Sequence, residues 1–259
     1  MKTQIHHTNL SANTLFHFTG SFENLVNIIQ KGFEPHYSME DFSIFDDLLP
    51  PYNEIAIPMV SFCDIPLSSI SKHIETYGPF GLGLSKVWGK MRGVGPVLYT
   101  FPESTIAKAM NFILDKSIKQ AMGKGDQALS RMSNLTLSYL KPYEGRRWKN
   151  NVFFSDRIRF YDEREWRFVP DTEEFDITHF LMRDTFQFPE RRNEAEQLLQ
   201  KAFRLEFQAS DVKYIIVESD SNIPELVKSF SLVNNRFDDQ DRTHLTNRII
   251  TTKQINEDF

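Results

Sequence analysis

Residues Tyr77–Lys86, YGPFGLGLSK, put three glycines within six residues and close on a lysine. Read as a phosphate-cradling loop, the stretch makes the chain a nucleotide-binding α/β protein. Read as a helix stop followed by a strand, it makes the chain α+β. A dinucleotide fingerprint needs G-x-G-x-x-G between a strand and a helix, and a P-loop needs G-x-x-x-x-G-K-[ST]. Gly78, Gly81 and Gly83 fit neither pattern. Gly78 ends the helical run LSSISKHIETY, and Gly81 and Gly83 fall inside FGLGLS, where small and apolar residues alternate. Glycine inside a strand marks the close approach of another backbone or of a ligand. The stretch therefore predicts a helix ending at Tyr77, then a tightly packed strand.

Upstream, IAIPMVSFCD predicts a buried strand from about Ile55 to Cys63, and Pro66 suits the first turn of the helix that follows. Residues 33–54, with Pro35 and the pair Pro50-Pro51, predict a long loop, a candidate lid. Before it, SFENLVNIIQKG carries Ser21 as N-cap, Glu23 in the first turn and Gly32 as the stop, with Phe22, Leu25, Ile28 and Ile29 at helical spacing. ANTLFHFT predicts a strand ending near His17.

Downstream, Ser85 caps a short helix KVWGKM, and GPVLYTF is a strand. Residues 103–123 and 126–141 predict two helices broken at GKGD. NVFFSDRIRFYDEREWRFVPD predicts a strand pair whose second member runs from about Arg159 to Val169. An amphipathic helix (PERRNEAEQLLQKAF), a central-type strand (VKYIIVES) and a helix (IPELVKSF) follow, and the tail predicts an edge strand and a short final helix. Strands and helices intermingle without regular alternation, which predicts an α+β fold.

The chain has 259 residues, enough for one large domain or two small ones. Its net charge of −5 gives no global pull toward nucleic acid or an anionic membrane. One cysteine, Cys63, excludes an intramolecular disulfide and suits a reducing cytoplasm. No apolar run approaches the ~20 residues of a membrane helix, and the N-terminus lacks an apolar signal-peptide region. The 23 phenylalanines predict an aromatic-rich core.

The sharpest chemistry lies in YDEREWRF. On a strand, Glu163 and Glu165 share one face, with Arg164 and Trp166 on the other. Two neighbouring carboxylates in a closed site repel, so one has a raised pKa. Such a pair can stabilise a cationic transition state, activate a hydroxyl or hold a metal. The plain alternative is a solvated face balanced by Arg164 and Arg167. No further ligands stand at metal spacing, and His6-His7 lies near the N-terminus, so no metal is expected. His17, Tyr77 and Cys63 each have a plain structural reading too: a hydrogen-bonded histidine, a packing tyrosine and a small buried side chain. In YEGRRWKNN, Arg146, Arg147 and Trp148 combine cations with an aromatic, as single-stranded nucleic-acid sites do. A solvated loop anchored by Trp148 is the alternative.

Taken together, LFHFT before NLVNIIQKGF, then VSFCDIPLSSISKHIETY, then DEREWRF, resemble the three ordered motifs of histidine-type ADP-ribosyltransferases. Over nearly the whole chain, PMVSFCDIPLS, YGPFGLGLSKVWG, GPVLY, EREWRFVP and RIITTKQINEDF resemble the AbiGi-type abortive-infection family of phage-defence proteins, which has been labelled an antitoxin. The transferase resemblance implies a single domain, residues 1–259, with a split mixed or antiparallel β core, flanking helices and a helical insertion at about 103–145. It implies NAD as substrate in a cleft between the strands of His17 and Glu165. His17 would hydrogen-bond a ribose hydroxyl, the Phe18 backbone would clamp the nicotinamide amide, and Thr19 would support that turn. Tyr77 would stack on the ring, with His73 or Phe80 as alternatives. Glu165 would bind the ribose 2′-hydroxyl and stabilise the oxocarbenium ion, and Glu163 would act as base toward the acceptor. That acceptor would be RNA, DNA or protein, met by Arg146, Arg147 and Trp148. Phe18 stands where the superfamily has a glycine. A toxic transferase implies a restraining antitoxin or a chaperone. The family label implies instead a non-catalytic antitoxin that binds a toxin.

Overall fold

The computed structural model describes residues 12–43, 53–121, 127–149, 151–232 and 236–258. In chain order the strands are β1 (Thr14–Thr19), β2 (His36–Asp41), β3 (Glu54–Cys63), β4 (Phe80–Ser85), β5 (Gly95–Pro96), β6 (Leu98–Thr100), β7 (Leu140–Pro142), β8 (Gly145–Lys149), β9 (Val152–Ile158), β10 (Glu165–Phe168), β11 (Leu181–Met182), β12 (Val212–Val217) and β13 (Ile249–Thr251). The helices are α1 (Phe22–Lys31), α2 (Ser71–Tyr77), α3 (Lys86–Met91), α4 (Thr105–Ala121), α5 (Gln127–Ser138), α6 (Arg183–Phe186), α7 (Pro189–Ala202), α8 (Ile223–Leu232), α9 (Asp239–Thr246) and α10 (Thr252–Asp258). The architecture is α+β, with a mixed sheet in which β12 and β13 are parallel and the other pairs antiparallel. Among the described residues no helix is long and apolar enough to cross a membrane.

The sheet is organised around β3. Its apolar run EIAIPMVSFC is buried almost throughout, as an interior strand requires. The first half of β3 pairs with β2, from His36↔Met59 to Asp41↔Glu54, and with β11 at Leu181↔Ala56. Its end pairs with β10, at Glu165↔Cys63 through Phe168↔Val60, and with β1 at Phe16↔Cys63. Pro58, without an N–H to donate, sits next to the changeover between these two levels. Beyond β1 the order continues through β4, β12 and β13. The sheet therefore splits, since β1 touches β3 at a single register pair and then stays with β4.

Alternation along β1 sends its side chains to two cores. Leu15 joins Leu25, Ile29, Phe62, Trp88 and Phe230 on one face. Phe16 joins Cys63, Ile70, Ile216 and Ile255 on the other. The expected caps are present. Ser21 accepts from the Asn24 amide at 3.3 Å, and Ser85 from the Trp88 amide at 3.2 Å. The helix expected over residues 126–141 ends at Ser138, and Leu140–Pro142 then forms β7, paired in parallel with β6. The break at GKGD lies outside the described residues.

Two expectations are corrected. Residues 33–54 are not a plain loop, since His36–Asp41 pairs along β3, and 44–52 lie outside the described residues. The strand expected from Arg159 to Val169 is interrupted: Phe160–Glu163 is a 3₁₀ turn, Arg164 is left-handed (φ 45°), and β10 starts only at Glu165. β9 pairs with β8 instead of β10. Helix α9, which the tail did not announce, packs Leu245 into the core.

The opening glycines are explained by packing. Gly78 has φ 117°, and a Cβ there would lie 2.4 Å from the Cα of Gly20. Gly81 and Gly83 face the rings of Phe18 and Phe16 on β1, at 2.8 and 2.7 Å from an added Cβ. The glycine-thinned strand thus accommodates phenyl rings of its neighbour, the close approach that glycine inside a strand marks.

Candidate functional site

A cavity of about 260 Å³ opens where β1 and β2 part over β3. Phe16, His17 and Phe18 come from β1, Ser38 and Glu40 from β2, and Ser61, Phe62 and Cys63 form its floor on β3. His73 and Tyr77 arrive from α2, Lys141 from β7, and Glu163 and Glu165 from the turn into β10. Residues 17, 77, 163 and 165, distant in sequence, therefore line one cavity. Because β1 and β10 flank opposite edges of β3, the cavity does not lie between those two strands as adjacent walls; β3 separates them.

Glu163 and Glu165 reach the cavity by a route that period two does not describe. Glu163 belongs to the 3₁₀ turn, and the left-handed Arg164 reverses the chain before Glu165 enters β10. Asp64 N–H donates to the Arg164 carbonyl at 3.0 Å and holds that corner.

Glu165 is buried, and its oxygens are fully occupied. Oε1 accepts from Ser61 Oγ at 2.9 Å and from Arg167 Nε at 2.6 Å. Oε2 accepts from Arg167 Nη2 at 3.0 Å and faces Lys141 Nζ at 3.2 Å. A carboxylate offers about four lone-pair positions, so none remains open. Burial pushes this carboxyl up, but Arg167 and Lys141 outweigh it and hold the group down to about 2.

Around it stands a buried cage. Arg167 is completely buried, donates Nη1 to the Ser138 carbonyl at 2.9 Å, and also pairs with Glu40. Lys141 bridges Glu40 at 3.0 Å and lies 4.5 Å over the Phe160 ring. Burial pulls the Lys141 ammonium down, and Glu165 and Glu40 more than restore it. The α4–α5 segment supplies both the Ser138 carbonyl and, just beyond its end, Lys141. Glu165 N–H donates to the Tyr99 hydroxyl at 2.8 Å.

Glu163 is different. It is half-buried and accepts from the Tyr77 hydroxyl at 2.5 Å. Burial raises its carboxyl, Lys141 and the Tyr77 hydroxyl oppose, and the net shift is upward. The two carboxylates are thus driven in opposite directions: Glu165 is held as an anion, and the Glu163 carboxyl is shifted upward. Burial and Glu163 together push the Tyr77 phenol up, so it stays a donor.

His17 Nδ1 donates to the Ser61 carbonyl at 2.8 Å, a contact that requires the proton on Nδ1 and leaves Nε2 an acceptor. Burial holds its imidazole below the ordinary range, hence neutral. His73 stacks obliquely on Tyr77 at 5.7 Å, and its Nε2 is buried without a hydrogen-bond partner. Phe80 packs on Phe22 inside the core and does not reach the cavity. Thr19 accepts from Asn24 Nδ2 at 3.1 Å, tying the end of β1 to α1. Past Phe16, β1 has β4 on one side and, among the described residues, no strand on the other.

The three basic and aromatic residues expected to meet an acceptor separate. Arg146 pairs with Asp41 at 2.7 Å and Glu54 at 3.1 Å, and Trp148 packs on Phe153 and Phe186. Arg147 alone turns toward the site, lining a groove shared with Tyr77 and Glu163. Burial and two neighbouring acids push the Cys63 thiol up, which leaves it an inert core residue. Glu40, Ser61, Tyr99, Lys141 and Arg167 were not singled out in the sequence as site residues. Only Arg167 carried a signal, because it stands two residues from Glu165 on the same strand face.

No solved structure matches the chain. A family model described as "Putative abortive phage resistance protein AbiGi, antitoxin" matches residues 31–218. The abortive phage resistance protein AbiGi of Lactococcus lactis subsp. cremoris is 28% identical over 233 residues, covering 81% of this chain and 91% of the relative. With residues 31–218 matched, a span that holds the cavity residues from Ser38 to Glu165 but not Phe16, His17 and Phe18 of β1, the chain belongs to the AbiGi family of abortive phage resistance proteins.

Proposed function

We propose that this protein acts in abortive phage resistance as an antitoxin that binds and restrains a toxin. The family match over residues 31–218 carries this reading. The state of Glu165 supports it: a carboxylate whose acceptor positions are filled by Arg167, Lys141 and the Ser61 hydroxyl of its own chain is a structural group. Co-expression with the cognate toxin should restore growth, and Glu163→Gln should protect as well as wild type. Growth arrest caused by this chain alone, and abolished by Glu163→Gln, would overturn it.

A second reading, NAD-dependent ADP-ribosyl transfer on an ADP-ribosyltransferase-like fold, is favoured by one observation: His17, Tyr77 and Glu163 border the same cavity. NAD as substrate would supply an electrophilic ribosyl carbon as nicotinamide leaves. Nε2 of His17 would accept a ribose hydroxyl, and the open edge of β1 at Phe18 would offer backbone polar groups. Tyr77 and His73 would present ring faces. Glu163, with its upward-shifted carboxyl, would take the acceptor's proton, and Glu165 would supply fixed negative charge. At about 260 Å³ the cavity falls just below the ~300–1,000 Å³ of small-molecule sites. The nicotinamide end of NAD would enter it and the remainder would extend into the adjoining groove. Purified protein with labelled NAD and cell lysate tests this reading. Nicotinamide release and labelling that Glu163→Gln abolishes support it, and their absence with folded protein removes it.

A further inference from the structure

Beside the carboxylate cavity runs a second, larger hollow of about 780 Å³, and the two share His73, Tyr77 and Glu163 as common walls. Its lining is cationic although the chain carries a net charge of −5. Lys72 comes from α2, Arg147 from β8, Arg157 from β9, and Arg159 and Arg164 from the corner that follows. Against these five cations stand two carboxylates, Asp162 and Glu163. Arg157 reaches Glu144 at 3.3 Å and Arg159 reaches Asp162 at 3.8 Å, both solvent-exposed pairs. Such pairs contribute little and yield readily to a stronger anion.

The groove also presents aromatic surface. Tyr161 is 49% exposed and Tyr77 is 41% exposed, and both line it. Tyr161 is braced from behind by Tyr143, stacked at 5.3 Å, and by Tyr99, edge-on at 5.2 Å. A braced ring beside arginines from separate elements is what a single-stranded nucleic acid requires: bases stack while phosphates pair. An acidic protein segment would use the cations but has no need of the two rings.

We propose that this groove binds single-stranded nucleic acid, its phosphates along Lys72, Arg147, Arg157 and Arg159 and a base on Tyr161. The proposal holds whether the carboxylate cavity is catalytic or not. It moves the acceptor surface away from Arg146 and Trp148, which are engaged elsewhere, and keeps only Arg147 of the residues that the sequence pointed to.

Fluorescence anisotropy of a dye-labelled 12-nucleotide RNA and its DNA counterpart, with the full chain, tests it. Binding is expected at about 50 mM salt. With four phosphates engaged, affinity should fall about 50-fold by 200 mM. Arg147→Glu with Arg157→Glu should abolish binding, and Tyr161→Ala should weaken it about tenfold. Arg157 is an exposed side chain, and unchanged circular dichroism would show that the double variant is folded. No binding of either strand at low salt, wild-type affinity in the folded double variant, or equal competition by poly-glutamate and by unlabelled strand would each overturn the proposal. The last result would assign the groove to an acidic protein.

Discussion

Replacing Arg167 by methionine removes the centre of the buried cage while keeping an unbranched apolar stem. Arg167 donates to Glu165 at 2.6 and 3.0 Å, to the Ser138 carbonyl at 2.9 Å, and also to Glu40. After the change, two buried carboxylates face Lys141 as the remaining cation of the cage, and the Ser138 carbonyl loses this donor. Breaking a buried pair from one side costs about 3–5 kcal/mol, because a charge is left uncompensated. For a chain of 259 residues the unfolding entropy near the midpoint is about 0.5 kcal/mol per degree, so each kcal/mol lowers Tm by about 2 °C. Arg167→Met should therefore lower Tm by about 6–10 °C at pH 7, read by circular dichroism. Arg167→Lys should recover only part of the loss, since one ammonium cannot reproduce a planar fork that serves two carboxylates and a carbonyl. A fall of less than 2 °C for the methionine variant would refute the cage as an ion network closed to water.

Glu165, held at about 2, contributes stability that is complete above its unfolded pKa and is lost as pH falls through about 2. From an ordinary value near 4.3 this is roughly 3 kcal/mol, so urea midpoints of the wild type should drop between pH 5 and 2 more steeply than those of Glu165→Gln. Equal slopes would contradict it. In Tyr77→Phe, Glu163 loses the hydroxyl that holds its carboxyl down, so its titration, followed by carboxyl carbon NMR, should move to higher pH; no movement would show that the 2.5 Å contact is absent in solution. Gly78→Ala must adopt φ 117° and separate α2 from the turn at Gly20, with a loss of more than about 2 kcal/mol in denaturant unfolding. A near-neutral result would mean that the turn yields.

Local chemistry made much of this molecule legible. The caps at Ser21 and Ser85, the stops at Gly32 and Gly78, and the apolar run of β3 stand as expected, because short-range sterics and hydrogen bonding decide them. The strand β2 was not legible, because HYSMED is a polar segment that becomes a strand only through its pairing with β3. The same holds for the corner at Arg164, where a left-handed residue overrides the period-two reading of E-x-E.

Within the site, residue types were visible in the sequence and their division of labour was not. Burial and charge are properties of neighbours distant along the chain. Lys141 and Arg167, from two separate strands and shared with Glu40, close on Glu165 and hold it as a fixed anion, while Glu163, two residues away, accepts from the Tyr77 hydroxyl and has an upward-shifted carboxyl. The sequence by itself determined which side chains were available and that β3 would be buried. Only the tertiary structure decided which carboxylate is locked by cations and which is shifted upward, although both line the cavity, because solvation and Coulomb energy depend on distance through space.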